Sequence, residues 1–165
     1  THREEKKNIY YRYKEGLEGL PIQMNPFEED KSNPNYWLSC LIIDKNYMAR
    51  QVRSDKEYLY KQENGKSSPH EILDAIKSIN AEGRPIWKPM HKQPIFMNYD
   101  FINRYGHAKA MTNAYISGGF IDERDNLPED ISMDIFSRGL CLPSDNKMTE
   151  EDQDKIIEVI RACFE

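Results

Sequence analysis

Three prolines within ten residues, at positions 85, 89 and 94, dominate the middle of the chain in Arg84-Pro-Ile-Trp-Lys-Pro-Met-His-Lys-Gln-Pro94. Each removes a backbone donor and fixes φ, so neither a regular helix nor a central strand can run through this segment. It is expected to be extended and stiff. On its N-terminal side, Ile9, Tyr10, Tyr13, Leu17 and Leu20 recur at helix spacing until Gly19 and Pro21 break the pattern. Ile22-Gln-Met24 then suits a short edge strand, and the polar stretch Asn25 to Asn35 a loop. The run Tyr36-Trp-Leu-Ser-Cys-Leu-Ile-Ile-Asp44 is aromatic and branched at alternate positions on both faces, as a central, doubly covered strand would be. Asp44 to Lys66 is charged and is expected to be a partly helical connection. Ser68-Pro-His-Glu71 matches a capping box with proline at the first helical position. Ile72, Leu73, Ile76 and Ile79 supply its buried stripe, and Gly83 is expected to stop it.

Beyond Pro94, the residues from Ile95 to Pro128 mix aromatics, glycines and charges without a period, and predict a long loop with room for one short helix. Pro128 to Ser137 reads as a helix ended by Gly139, Leu140-Cys-Leu142 as a short strand, and Thr149-Glu-Glu-Asp152 as the cap of a last helix. That helix buries Ile156, Ile157, Ile160, Cys163 and Phe164. Helices covering one face of a small, mostly antiparallel sheet fit this order better than an alternating parallel sheet, so the class is α+β. The 165 residues are expected to form one domain, spanning 1–165. The chain opens on Thr1 and runs straight into a helical pattern, which predicts a piece of a longer protein.

Charge and cysteine content narrow the function classes. Lysine and arginine number 23 against 28 acidic residues, a net charge of −5 that argues against a nucleic-acid partner. The longest nearly apolar run, Trp37 to Ile43, is far shorter than a membrane span, and no signal segment opens the chain, so a cytoplasmic protein is expected. Cys40, Cys141 and Cys163 lie far apart and form no C-x-x-C, which predicts buried reduced thiols with neither a disulfide scaffold nor a zinc site. Gly65-Lys-Ser67 lacks the rest of a phosphate-binding loop, His70-Glu71 lacks the second histidine of a zinc protease, and no G-x-G-x-x-G or G-x-S-x-G occurs. No self-contained catalytic apparatus is expected. One segment stands out: between Glu82 and Asp100 there is no acid, while Arg84, Lys88, His91 and Lys92 all fall within it. A stiff cationic loop carrying Trp87 and Phe96 suits a ligand that combines phosphate with a ring, although a solvated connector would share the same composition.

Together, Arg84-Pro-Ile-Trp-Lys-Pro-Met-His-Lys-Gln-Pro94, Arg138-Gly-Leu-Cys-Leu-Pro-Ser144 and Met148-Thr-Glu-Glu-Asp-Gln153 resemble the C-terminal domain of the DegT/DnrJ/StrS sugar aminotransferases, and Asn35-Tyr-Trp-Leu-Ser-Cys40 looks like the matching earlier strand. The likeness covers nearly the whole chain. It implies the small domain of the aspartate-aminotransferase (type I) fold, in a pyridoxal-phosphate enzyme that moves an amino group from glutamate to a nucleotide-linked keto-sugar. The Schiff-base lysine and the aspartate facing the pyridine nitrogen would then belong to a large domain outside this chain, leaving no catalytic residue within it. The resemblance places His91 beside the substrate and assigns Trp87 and Lys88 to nucleotide-sugar contact, and Arg84, from the cationic segment, is expected to join them. It implies a homodimeric parent enzyme. Arg138 reads as a surface cation near a helix end and Cys141 as packing. Tyr99 to Asp125 looks like an insertion relative to the family. Two other readings stay open: a sugar dehydratase of the same fold with histidine in place of the Schiff-base lysine, and a free-standing α+β module using Arg84 to Lys92 to bind anions.

Overall fold

The computed structural model describes residues 2–28, 30–53, 58–96, 99–103, 106–109 and 131–165. Four short strands, numbered in chain order, make one antiparallel sheet in the order β1 (Ile22–Met24), β2 (Cys40–Ile43), β8 (Gly139–Cys141), β5 (Arg84–Pro85). The register sets Ile22 opposite Ile43, Leu41 opposite Leu140 and Arg84 opposite Cys141. Because strand side chains alternate between faces, Leu41, Ile43, Leu140 and Leu142 share one face, and all four are buried.

Three helices cover that face. From α1 (His2–Gly16) come Ile9 and Tyr13, with Leu17 just beyond; α2 (Pro69–Ser78) supplies Ile72 and Ile76; α4 (Glu150–Ala162) supplies Ile156, Ile157 and Ile160. Both caps foreseen in the sequence form. Ser68 Oγ accepts from the Glu71 amide at 3.2 Å and Thr149 Oγ1 from that of Asp152 at 3.1 Å, each satisfying an otherwise orphaned helix donor. Gln153 reaches from α4 across to α1, its Nε2 donating to the Ile9 carbonyl at 2.7 Å. The α+β class, with helices on a mostly antiparallel sheet, is the architecture observed. No described helix is long and apolar enough to cross a membrane.

Several local expectations are corrected. The strand foreseen over Tyr36–Asp44 contracts to β2, because Tyr36 takes a left-handed φ of 54° and the Asn35 Oδ1 accepts from the Trp37 amide, turning the chain before pairing begins. The Tyr36 ring packs against Tyr10 and Phe27 while Trp37 turns outward. Nor is β2 doubly covered: Cys40 and Ile42 are only half-buried. The Asp44–Lys66 connection holds a 3-10 turn, Lys45–Tyr47, followed by a hairpin of β3 (Gln51–Arg53) and β4 (Tyr58–Tyr60). Helix α2 ends at Ser78, and left-handed Asn80, φ 61°, follows it. Ile79 is consequently exposed, outside the stripe. Gly83 serves spacing instead: a Cβ there would stand 3.0 Å from the Cys141 carbonyl oxygen and 2.8 Å from Leu73 Cδ2. Within the foreseen loop from Ile95 to Pro128, Pro94–Phe96 forms a 3-10 turn, and β6 (Asp100–Asn103) and β7 (Gly106–Lys109) pair as a hairpin. The helix of Pro128–Ser137 is α3 (Ile131–Arg138) over its described part, and residues 110–130, with most of the suggested insertion, lie outside the described residues. Cys163 is half-buried, and Cys40 and Cys141, distant in sequence, face each other across β2 and β8.

Candidate functional site

The cationic loop starts as an edge strand. Pro85, which has no amide proton to donate, is tolerated in β5 because that strand lies at the border of the sheet. Ile86 then leans onto Gly139, where a Cβ would meet Ile86 Cδ1 at only 2.4 Å. This contact and the prolines fix how the chain leaves the sheet. Beyond it, Met90–Lys92 is a 3-10 turn capped by Pro89, with the Lys92 amide donating to the Pro89 carbonyl and that of Gln93 to Met90, both at 3.0 Å. Gln93 Nε2 donates back to the Lys88 carbonyl at 3.1 Å, so the glutamine of the Pro-Met-His-Lys-Gln-Pro run closes the loop on itself. The stiff, extended segment expected from the prolines is thus an edge strand continuing into two successive turns.

Four residues were expected to contact substrate, and the loop presents them unequally. Trp87 is 62% exposed and its ring centroid lies 6.1 Å from that of Trp37, itself 64% exposed, the planes tilted by 31°. The chain's two tryptophans therefore form an outward-facing aromatic pair beside the half-buried Lys88. Sequence reasoning missed Trp37 because it placed that residue inside a core strand. Arg84 is exposed but engaged, its guanidinium 2.7 Å from Glu82, so the cationic island is partly neutralised at its entrance. His91 is turned inward, 8% exposed, and Lys92 is equally buried.

Arg138 is not the surface cation expected. It donates through Nε and Nη2 to both oxygens of Asp134, at 2.9 and 2.6 Å, and through Nη1 to the Ile43 carbonyl, tying the end of α3 to the end of β2. That fork holds the Asp134 carboxyl below its ordinary range, with Lys45 adding to the effect. A concavity of about 440 Å³ lies here, lined by Asp44, Lys45 and Arg138 among others, and a second of about 430 Å³ lies between α1 and β1, lined by Tyr10, Lys14 and Phe27 among others. Neither includes the cationic loop. Among the described residues, no group of three or more His, Cys, Asp or Glu could hold a metal ion.

Pyridoxal phosphate requires a lysine for its aldehyde, donors for its phosphate and a carboxylate for its ring nitrogen. The first concavity has all three residue types, but each is already engaged. Lys45 is exposed and pairs with Asp134, Arg138 is spent on Asp134 and Ile43, and Asp44 caps the 3-10 turn by accepting from the Asn46 amide at 2.8 Å. The residues in this first concavity do not fit the cofactor.

The four-stranded antiparallel sheet with helices on one face is the fold that solved aminotransferases of the type I fold share with this chain over a small portion of their own length. Among solved structures, Spr1654 from Streptococcus pneumoniae, named a sugar aminotransferase, superposes with a TM-score of 0.59 at 14% identity, over 99% of this chain and 31% of its own. A DegT DnrJ EryC1 StrS aminotransferase from Brucella abortus gives a TM-score of 0.56 at 19% identity, over 98% and 31%. In sequence, the chain is 32% identical over 162 residues to EpsN of Bacillus subtilis (strain 168), whose name places it with the pyridoxal phosphate-dependent aminotransferases; the match takes in 98% of this chain and 31% of EpsN. No protein-family model matches the chain. In sequence and fold the chain corresponds to the C-terminal portion of these aminotransferases, and it spans about a third of the length of the relatives it matches.

Proposed function

We propose that this chain serves as the C-terminal domain, over residues 1–165, of a cytoplasmic, homodimeric enzyme that moves an amino group from glutamate to a nucleotide-linked keto-sugar. The observation that carries the reading is the likeness to EpsN along 98% of the chain, which takes in the loop from Arg84 to Pro94. In this reading the cofactor sits on a large domain carrying the Schiff-base lysine, and the small domain contributes the sugar side of the cleft. The outward Trp37–Trp87 pair offers flat surface to a ring, and Lys88 beside it a charge to phosphate. His91, packed within the loop, positions the substrate through that surface, and Arg84 adds a cation at its entrance.

In the full-length enzyme, His91→Ala is expected to lower turnover of the keto-sugar by about 10–100-fold, the scale of a lost positioning contact, while the cofactor stays bound and the half-reaction with glutamate proceeds. Lys88→Ala should chiefly raise the KM for the nucleotide sugar, since a phosphate contact acts alike in ground and transition states. Loss of the glutamate half-reaction in His91→Ala, or unchanged sugar turnover, would remove this loop from the sugar side.

A further inference from the structure

Cys40 and Cys141 occupy directly opposed positions of the β2–β8 ladder, and the function above uses neither. Cys40 spends its own backbone groups on the other side of β2: its amide donates to Asn25 Oδ1 at 3.0 Å and its carbonyl accepts from the Asn25 amide at 2.9 Å. The neighbouring bond to β8 is made one step away, from the Leu142 amide to the Ser39 carbonyl at 2.8 Å. The two cysteines are therefore a non-hydrogen-bonded antiparallel pair, the kind with the closest side chains and a Cα separation of about 4.5 Å. That lies inside the range of about 4.4–6.8 Å that a disulfide spans. The sulfurs stand 3.5 Å apart, with the Cys40 thiol donating to Cys141 Sγ. Cys163 is engaged elsewhere, its thiol donating to the Val159 carbonyl at 3.1 Å.

We propose that Cys40 and Cys141 are a peroxide-oxidisable dithiol that closes into an intrachain disulfide stapling β2 to β8. In their shared S–H···S bond Cys40 is the donor and Cys141 the acceptor, an arrangement that favours the thiolate on Cys141 and makes it the nucleophile. It is 5% exposed, so the oxidant must be close to water in size, and hydrogen peroxide is. The Cys141 thiolate attacks one peroxide oxygen, the O–O bond breaks, and the hydroxide released takes up the thiol's proton as water, leaving a sulfenic acid on Cys141. The Cys40 sulfur then attacks the sulfenic sulfur; the S–O bond breaks, and hydroxide leaves with the Cys40 proton as a second water. Two thiols are oxidised to one disulfide and one peroxide is reduced to two waters. The sulfurs need only close from 3.5 Å to about 2.05 Å. The bond joins residues 101 positions apart, so it removes a large share of the unfolded chain's freedom.

The intact chain, treated in native buffer with a small excess of hydrogen peroxide, alkylated and mapped by mass spectrometry, provides the test. The three thiols should fall to one, with the Cys40 and Cys141 peptides cross-linked and Cys163 free; dithiothreitol should restore all three, and the oxidised form should melt at a higher temperature. Cys163→Ala should form the same cross-link, and Cys40→Ser should give none. Three free thiols after treatment, a bond that includes Cys163, or sulfinic acid on Cys141 without the cross-link would each overturn the proposal, and the mapping of the unsubstituted chain decides it even if a variant misfolds.

Discussion

Gly139→Ala probes the joint between the sheet and the cationic loop. Gly139 opens β8 directly after Arg138, the last residue of α3, and an added Cβ would stand 2.4 Å from Ile86 Cδ1 and 2.6 Å from the Ile135 carbonyl oxygen. Both are well inside contact distance, but they yield differently. The tip of Ile86 can rotate away, whereas the carbonyl belongs to the backbone of α3 and moves only with the helix. Overpacking a filled site costs about 1–3 kcal/mol, and a backbone clash places this case at about 2–3 kcal/mol. In an Ile86→Ala background the side-chain clash is gone and the carbonyl remains, so the same methyl should cost about 1–2 kcal/mol, a coupling near 1 kcal/mol between two positions in contact. Urea unfolding of the four proteins of this cycle, compared at equal m-values, measures both numbers. The near-ultraviolet circular dichroism of the Trp37–Trp87 pair should weaken alongside, since Ile86 immediately precedes Trp87. A cost below about 0.5 kcal/mol in both backgrounds, or the same cost in each, would refute the argument that this glycine is required for space.

Two further outcomes follow from the helix side of the domain and its α3 corner. Gln153→Leu keeps the size of a buried side chain but deletes the 2.7 Å bond from α4 to the Ile9 carbonyl, and should cost about 1–2 kcal/mol, read as a Tm lower by about 2–8 °C. Asp134→Asn tests the fork to Arg138: a carboxyl held below its ordinary 3.8 in the folded state stabilises fully above its unfolded value and loses that contribution as pH falls through the folded one. The variant should therefore be less stable than the unsubstituted chain near neutral pH, and the gap should narrow as pH falls below the ordinary 3.8 and through the lower folded value; a gap independent of pH would exclude the ionised fork as its source.

What was legible in the sequence is what is decided locally. The boxes at Ser68 and Thr149 specify their own hydrogen bonds three residues on, so α2 and α4 start where the residues say they do. Three-residue strands carry too short a pattern to reveal their period, and the β3–β4 hairpin hides further because Val52, Tyr58 and Leu59 are exposed, although the Tyr58 ring centroid lies 4.0 Å from that of His70. The same limit governs the candidate site. Prolines foretell a stiff loop, yet the direction in which it presents Trp87 depends on β5 pairing with β8 and on Ile86 resting against Gly139, contacts made across more than fifty residues. Alternation in Gly-Leu-Cys-Leu puts Gly139 and Cys141 on one face of β8, but which residue stands opposite either is fixed by register alone. A shift of β2 by one residue would turn Leu41 and Ile43 out of the core, so the burial of those two side chains is what sets Cys40 against Cys141. The apolar face thereby determines the chemistry of the other one: the dithiol is held in place by leucines and isoleucines whose side chains lie on the opposite face of the sheet.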